Sequence, residues 1–169
     1  EKYISEPGSV IINTKRDGTG ETALHLVVAR KDDTWLGYLL QKGANPNLAD
    51  RKGVSPLMLA TQLGFTEGVL RLLKYKASVD ATNRSGETAL IRAVQLRQPE
   101  LVRILLKAGA NPDKRDSVGG LSAREYAAQD RDGDGASEYA AKFASTSGKK
   151  DGLYWPTVAN EAPSPLGTL

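Results

Sequence analysis

Few residues in this 169-residue chain have the type and spacing that chemistry requires. There is no cysteine, which removes disulfides, thiolate zinc sites and cysteine nucleophiles together. The single histidine, His25, excludes a His-rich metal cluster and leaves little for Ser-His-Asp catalysis. The chain has no phosphate-cradling glycine loop of the required pattern and no paired nucleophile and base. One run does look like a ligand set. In Asp130-Arg131-Asp132-Gly133-Asp134-Gly135, alternating carboxylates can converge on a hard cation such as calcium, and glycine permits the sharp turn. The pattern then fails, because Ala141 holds the twelfth position and the nearest acid, Glu138, falls at the ninth. A solvated polar turn explains Asp130, Asp132, Asp134 and Glu138 better, so no metal site is favoured and no cofactor is expected.

What is left is charge and shape. The formal charge of +3 is too small to argue by itself for nucleic acid. Its distribution says more: residues 15–116 hold 17 Lys and Arg against 11 Asp and Glu, a surplus of six, and the flanks are net −3. Only 6% of the residues are aromatic against 40% apolar, so the core must be built from aliphatic side chains.

The elements that carry these charges repeat. Gly20-Glu21-Thr22-Ala23-Leu24 returns as Gly53-Val54-Ser55-Pro56-Leu57 and again as Gly86-Glu87-Thr88-Ala89-Leu90, each step 33 residues. Leu39-Leu40, Leu72-Leu73 and Leu105-Leu106 keep the phase, as do Gly43-Ala44, Lys76-Ala77 and Gly109-Ala110, with Asn47, Asp80 and Asp113 behind them. A fourth copy, Gly120-Leu121-Ser122-Ala123, follows at a step of 34, with Gly119 as the extra residue. Each unit reads as two short helices and a turn. Ser55 is an N-cap with Pro56 at the first helical position, Gly64 ends that helix, and a second runs from about Thr66 to Lys74. Pro99 opens the corresponding second helix of the third copy. Asp50-Arg51-Lys52-Gly53 and Asn83-Arg84-Ser85-Gly86 have the composition of tight turns.

The G-x-T-P-L-H-like openings at Gly20 to His25 and Gly53 to Met58, with the L-L-x-x-G-A endings, resemble the ankyrin repeat family from about Lys15 to Ala144. The first copy lacks the proline, the second has Ser55 and Met58 for threonine and histidine, and the third reads Thr88-Ala89-Leu90-Ile91. The wording of residues 84–96 is similar to bacterial ankyrin proteins, alphaproteobacterial ones above all. The resemblance implies an all-α solenoid of helix-turn-helix units with β-hairpin-like tips. It also gives His25 a structural role, tying turn to helix by local hydrogen bonds, in place of catalysis or metal binding.

In that family partners bind along the hairpin tips and inner helix faces, which line a concave groove. Carried over by register, Arg51, Arg84 and Ser117 form one tip column and Lys52, Ser85 and Val118 the next. Glu21, Val54 and Glu87 follow the turn glycines, and Gln62, Leu63, Gln95 and Leu96 end the inner helices. Arg92 and Arg97 add charge, Arg92 standing where the first two repeats have Leu26 and Leu59. Arginines beside leucines expected to be exposed, Leu63 and Leu96, are the mixture of an anchor patch. The function implied is a non-catalytic protein–protein interaction module whose partner has an acidic or polar face. The alternatives are a calcium-responsive accessory domain, resting on the aspartate loop, and nonspecific nucleic-acid binding along the basic stripe. The latter needs aromatic platforms that the inner-helix tips lack.

Residues 1–14 read as the remnant of a preceding repeat. The array spans 15–144, divided near 15–48, 49–81, 82–114 and 115–144, the last a polar, alanine-rich cap. Residues 145–169 are a Pro/Gly/Ser-rich tail in which Tyr154 and Trp155 are expected to dock on a repeat surface or a neighbouring molecule. No apolar run approaches the ~18 residues that span a bilayer. A soluble protein is expected, cytoplasmic or, with something upstream of Glu1 removed, periplasmic. The 33-residue register also makes Trp35, Gly68 and Leu101 equivalent, and Gly68 is expected to be small because Trp35 fills the space beside it. Gly68→Ile should then overpack that junction by roughly 1–3 kcal/mol, read as a lowered melting temperature.

Overall fold

The computed structural model describes residues 11–129 together with Tyr139, Lys142 and Phe143. Its helices alternate between seven and nine residues: α1 Ala23–Ala29, α2 Asp33–Gln41, α3 Pro56–Gln62, α4 Thr66–Lys74, α5 Ala89–Gln95, α6 Pro99–Lys107, then α7 Ala123–Gln129. The helix starts are set by side chains. Ser55 Oγ accepts from the Met58 amide at 3.3 Å, Thr88 Oγ1 from Ile91 at 3.2 Å and Asp32 from Trp35 at 3.0 Å. The ends are set by backbone shape. Lys31, Gly64 and Arg97 have φ of +54°, +64° and +53°, a left-handed residue closing each first helix at the repeat spacing.

Helices this short do not persist in isolation, because nucleation outweighs the few hydrogen bonds they form. They are held by neighbours. The inner helices α1, α3, α5 and α7 pack in succession, the outer helices α2, α4 and α6 do likewise, and α1, α3 and α5 each pack on the outer helix that follows. Leu24, Leu57 and Leu90 from the inner row and Leu36, Val69 and Val102 from the outer row are buried at equivalent positions. Each contributes roughly 1.5–3 kcal/mol that no single unit could secure. Polar contacts repeat in step. The side-chain carbonyls of Asn13 and Asn47 and the Asp80 carboxylate accept from the amides of Asn45, Ser78 and Asn111 in the following loop, at 2.7, 2.7 and 2.8 Å. On the outer row Arg71 grips Asp33 with two donors, and a Cβ on the buried Gly37 would lie 2.9 Å from the Arg71 guanidinium.

The tips are β-hairpin-like, with single antiparallel bridges at Thr82–Thr88 and Arg115–Ser122. Each is tied to its successor by one backbone hydrogen bond. Arg51 donates to the Thr19 carbonyl at 2.9 Å, Arg84 to Lys52 at 3.1 Å and Ser117 to Ser85 at 2.8 Å. This approach explains the glycine column. At Gly53 (φ +77°) a Cβ would lie 2.9 Å from the Arg84 nitrogen, and at Gly86 (φ +73°) 2.8 Å from that of Ser117. After Gly120 no tip follows among the described residues, and the same space is open. At that end Tyr139 and Phe143 are buried in the core, with the Arg124 guanidinium 5.4 Å from the centre of the Phe143 ring.

The expected partner of Gly68 is corrected. Trp35 is 55% exposed and meets Tyr38 edge-on, whereas a Cβ on Gly68 would lie 2.3 Å from the ring of Phe65. Phe65 caps the same helix and folds back over its first turn, so the crowding is internal to one repeat. Residues 1–10, the aspartates of the calcium alternative and the tail with Tyr154 and Trp155 lie outside the described residues.

A glycine that only bends the chain and one that also admits a neighbour should differ in cost. Gly43 has φ +90° with open space around it, so Gly43→Ala should cost roughly 1–2 kcal/mol from the left-handed backbone alone. Gly53→Ala must also displace the next tip, and urea denaturation should show a clearly larger loss. Equal costs would mean that the tip contact contributes nothing.

Candidate partner-binding groove

The turn geometry of the middle hairpins aims their side chains. Asp50 Oδ1 accepts from the amides of Lys52 and Val54 at 2.8 and 2.9 Å, and Asn83 Oδ1 does the same for Ser85 and Glu87 at 2.9 and 3.0 Å. The two tips thus take one shape, and between them and the inner helices α3 and α5 lies a depression of about 490 Å³. Its walls are Lys52, Val54, Gln62, Asn83, Arg84, Ser85, Glu87 and Arg92.

Three of these are cations and one an acid. Glu87 is engaged at both oxygens, accepting from Asn83 Nδ2 at 2.8 Å and facing Arg92 Nη1 at 3.5 Å. Arg92 is held from several sides. Gln95 Oε1 lies 3.4 Å from Nη1, and the Gln62 carbonyl, with its amide turned to suit its neighbours, accepts from Nε and Nη2 at 3.2 Å each. Lys52 and Arg84 are exposed.

The register brought seven expected residues to this depression: Lys52, Val54, Gln62, Arg84, Ser85, Glu87 and Arg92. Gln95 joins through Arg92. Arg51 is exposed at the adjoining tip, Ser117 at the tip beyond Arg84, and Val118, 80% exposed, at that last tip. Glu21 stays within the first hairpin, accepting from Thr19 Oγ1 at 2.9 Å. Arg97 closes α5 in its left-handed turn. Leu96 is 44% exposed as expected, but Leu63 is not; it is half-buried and packs on the core beside the turn into α4. Asn83 was missed. Its signal was present in the turn composition, but not that its amide would brace Glu87.

His25 is 1% exposed and links two repeats. Its Nδ1 accepts from the Thr22 amide at 3.1 Å, so the proton sits on Nε2, which donates to the Val54 carbonyl at 2.8 Å. Among the described residues no group of three His, Cys, Asp or Glu side chains could hold a metal ion, and no helix is long and apolar enough to cross a membrane.

Past the third repeat, Asp116 replaces the turn residue Asn83. It is 6% exposed, accepting from Tyr126 Oη at 2.6 Å and the Gly119 amide at 2.8 Å. Burial alone would raise this carboxyl, but the Tyr126 hydroxyl and the backbone amides outweigh it and hold it below the ordinary carboxylate range. The same hydrogen bond, with burial, raises the Tyr126 phenol.

Comparison with known proteins agrees with the architecture. A family model described as ankyrin repeats, in three copies, matches residues 4–83 and 24–116. The chain belongs to the ankyrin repeat family, whose members typically serve as protein–protein interaction modules. A second model, described as a protein of unknown function (DUF2950), matches residues 121–169. An IkB-like protein of African swine fever virus (isolate Tick/South Africa/Pretoriuskop Pr4/1996) is 34% identical over 80 residues, 45% of this chain and 34% of its own length. A putative ankyrin repeat protein of fowlpox virus is 37% identical over 71 residues, 41% of this chain and 21% of its own. An L-asparaginase of Dirofilaria immitis is 36% identical over 62 residues, 37% of this chain but only 10% of that enzyme. The aligned segments thus span about a third or less of these relatives. They are viral and animal and give no support to a bacterial origin.

The Tyr126–Asp116 bond makes a signed prediction. Asp116, with a lowered folded pKa, contributes stability above its unfolded value near 3.9 and loses it as pH falls through the folded one. Tyr126, with a raised one, contributes below about pH 10 and loses it above. Tyr126→Phe should therefore cost roughly 1–3 kcal/mol at neutral pH. The deficit should shrink below about pH 4 and above about pH 10 in urea melts at each pH. A deficit independent of pH would point to packing alone.

Proposed function

We propose that this chain is a non-catalytic binding module that docks a partner protein along the hairpin tips and inner helix ends. The observation that carries the reading is the depression between the second and third repeats, where residues separated by 33 in the sequence converge on one cavity. Leu26, which occupies the position of Arg92 in the first repeat, adds an exposed apolar side chain on α1. A preformed face of this kind binds with little ordering cost, because tips and helices are already held by their neighbours. The excess of basic residues over 15–116 favours a partner with an acidic or polar complementary face, electrostatics acting mainly on association rate and partner choice. Nucleic acid fits less well, since none of the residues lining the depression is aromatic, and the exposed Trp35 and Tyr38 sit on the outer helix α2. The segment shared with the nematode enzyme is too short to carry a catalytic reading.

Peptides selected on the intact protein from an unbiased display library test the proposal. Bound peptides should protect amides at the second and third tips and at the ends of α3 and α5 from hydrogen exchange. Arg51→Glu combined with Arg84→Glu should weaken binding by about tenfold or more and flatten its salt dependence. Protection confined to the outer helices would overturn the assignment, and an affinity indifferent to both charges would remove only the preference for an acidic face.

A further inference from the structure

We infer that the depression between the second and third hairpins is an anchor for a carboxylate side chain, Glu or Asp, on an acidic segment of the partner. The inference deepens the groove reading and rests on it.

The convergence of three cations, one of them pre-oriented, on a single depression carries the argument. Away from the depression, four arginines have acids of their own: Arg71 with Asp33, Arg103 with Glu100, Arg115 with Glu125 and Arg124 with Asp113. The exposed Arg30 and Arg51 have none among the described residues. Lys52 and Arg84 line the depression without a side-chain hydrogen bond or ion pair to any described residue. The one acid in the lining cannot neutralise them. Glu87 is turned to Asn83 and Arg92, and so serves to hold Arg92 in place. Arg92, flanked by Gln62, Glu87 and Gln95, is a cation whose orientation is set before anything binds. A planar, pre-oriented guanidinium loses little freedom when a carboxylate arrives, and two unpaired cations beside it supply the remaining attraction.

Size and lining narrow the ligand. A cavity of about 490 Å³ accepts a side chain with its local backbone. Val54 offers an apolar wall for the methylenes of glutamate, and Ser85 adds a hydroxyl to the lining. A nucleic-acid strand would instead need a continuous basic track with stacking platforms.

Peptides from the selection described above provide the probe. Those that protect groove amides should be enriched in Asp and Glu. Replacing their acids by the corresponding amides should weaken binding by about tenfold or more in fluorescence anisotropy at about 50 mM salt, with most of the difference gone at about 300 mM. Lys52→Gln with Arg84→Gln should give the same loss without changing the melting temperature, because neither side chain bonds to any other described residue. Lys107→Gln, on an outer helix, should leave affinity unchanged. Neutral peptides binding in the groove as tightly as acidic ones would overturn this inference and leave the groove reading standing. Selected peptides protecting no groove amide would bring down both. A single-stranded oligonucleotide matching the acidic peptides in affinity, or an unaltered affinity in the Lys52 and Arg84 variant, would also reject the carboxylate anchor.

Discussion

One backbone hydrogen bond joins each hairpin tip to the next, and the groove depends on its regularity. The donors Arg51, Arg84 and Ser117 and the acceptors Thr19, Lys52 and Ser85 both advance by 33 residues, so every junction is built with the same offset. The bond demands close approach, and glycine at 20, 53 and 86 makes room for it. Behind the tips, helices of seven and nine residues survive only because buried leucines in each unit lean on the next. Tips and helices are thus two expressions of one nearest-neighbour constraint, and a cavity formed between two units inherits its shape from both.

That constraint also sorts the charges. On the outer row, successive helices bring Asp33 and Arg71 into contact, and the pair satisfies itself. The tips are spaced by backbone hydrogen bonds, not by ion pairs, so their long basic side chains need not meet an acid. The hairpin shape comes from Asp50 and Asn83, whose carbonyl oxygens are committed to the turn amides. A surface is left with fixed geometry and uncompensated positive charge, which suits recognition better than stability. Exposed ion pairs would have contributed little to folding in any case.

Much of this was legible before any coordinate. The period, the Ser55-Pro56 start, the Thr66 to Lys74 helix and the Pro99 start all recur in the structure, because each depends on backbone preferences local to a few residues. Seven of the expected groove residues converge for the same reason: a shared register implies a shared position. The failures arose where register was asked to predict contact. Trp35 and Gly68 occupy equivalent positions, yet the ring that limits Gly68 belongs to Phe65, three residues earlier. Leu63 follows the inner helix as Leu96 does, but turns toward the core where Leu96 faces outward. Asn83 looked like a turn residue, and nothing local indicated that it would brace Glu87.

The amino-acid order alone therefore determined a linear stack of paired helices with glycine-bearing tips, since those features follow from periodicity and backbone conformation. Only the tertiary structure decided which charges are neutralised internally and which are left exposed. Pairings such as Arg71 with Asp33 join residues 38 apart. Their existence depends on how far two helices stand from each other and on which way long side chains point, quantities that no spacing along the chain encodes.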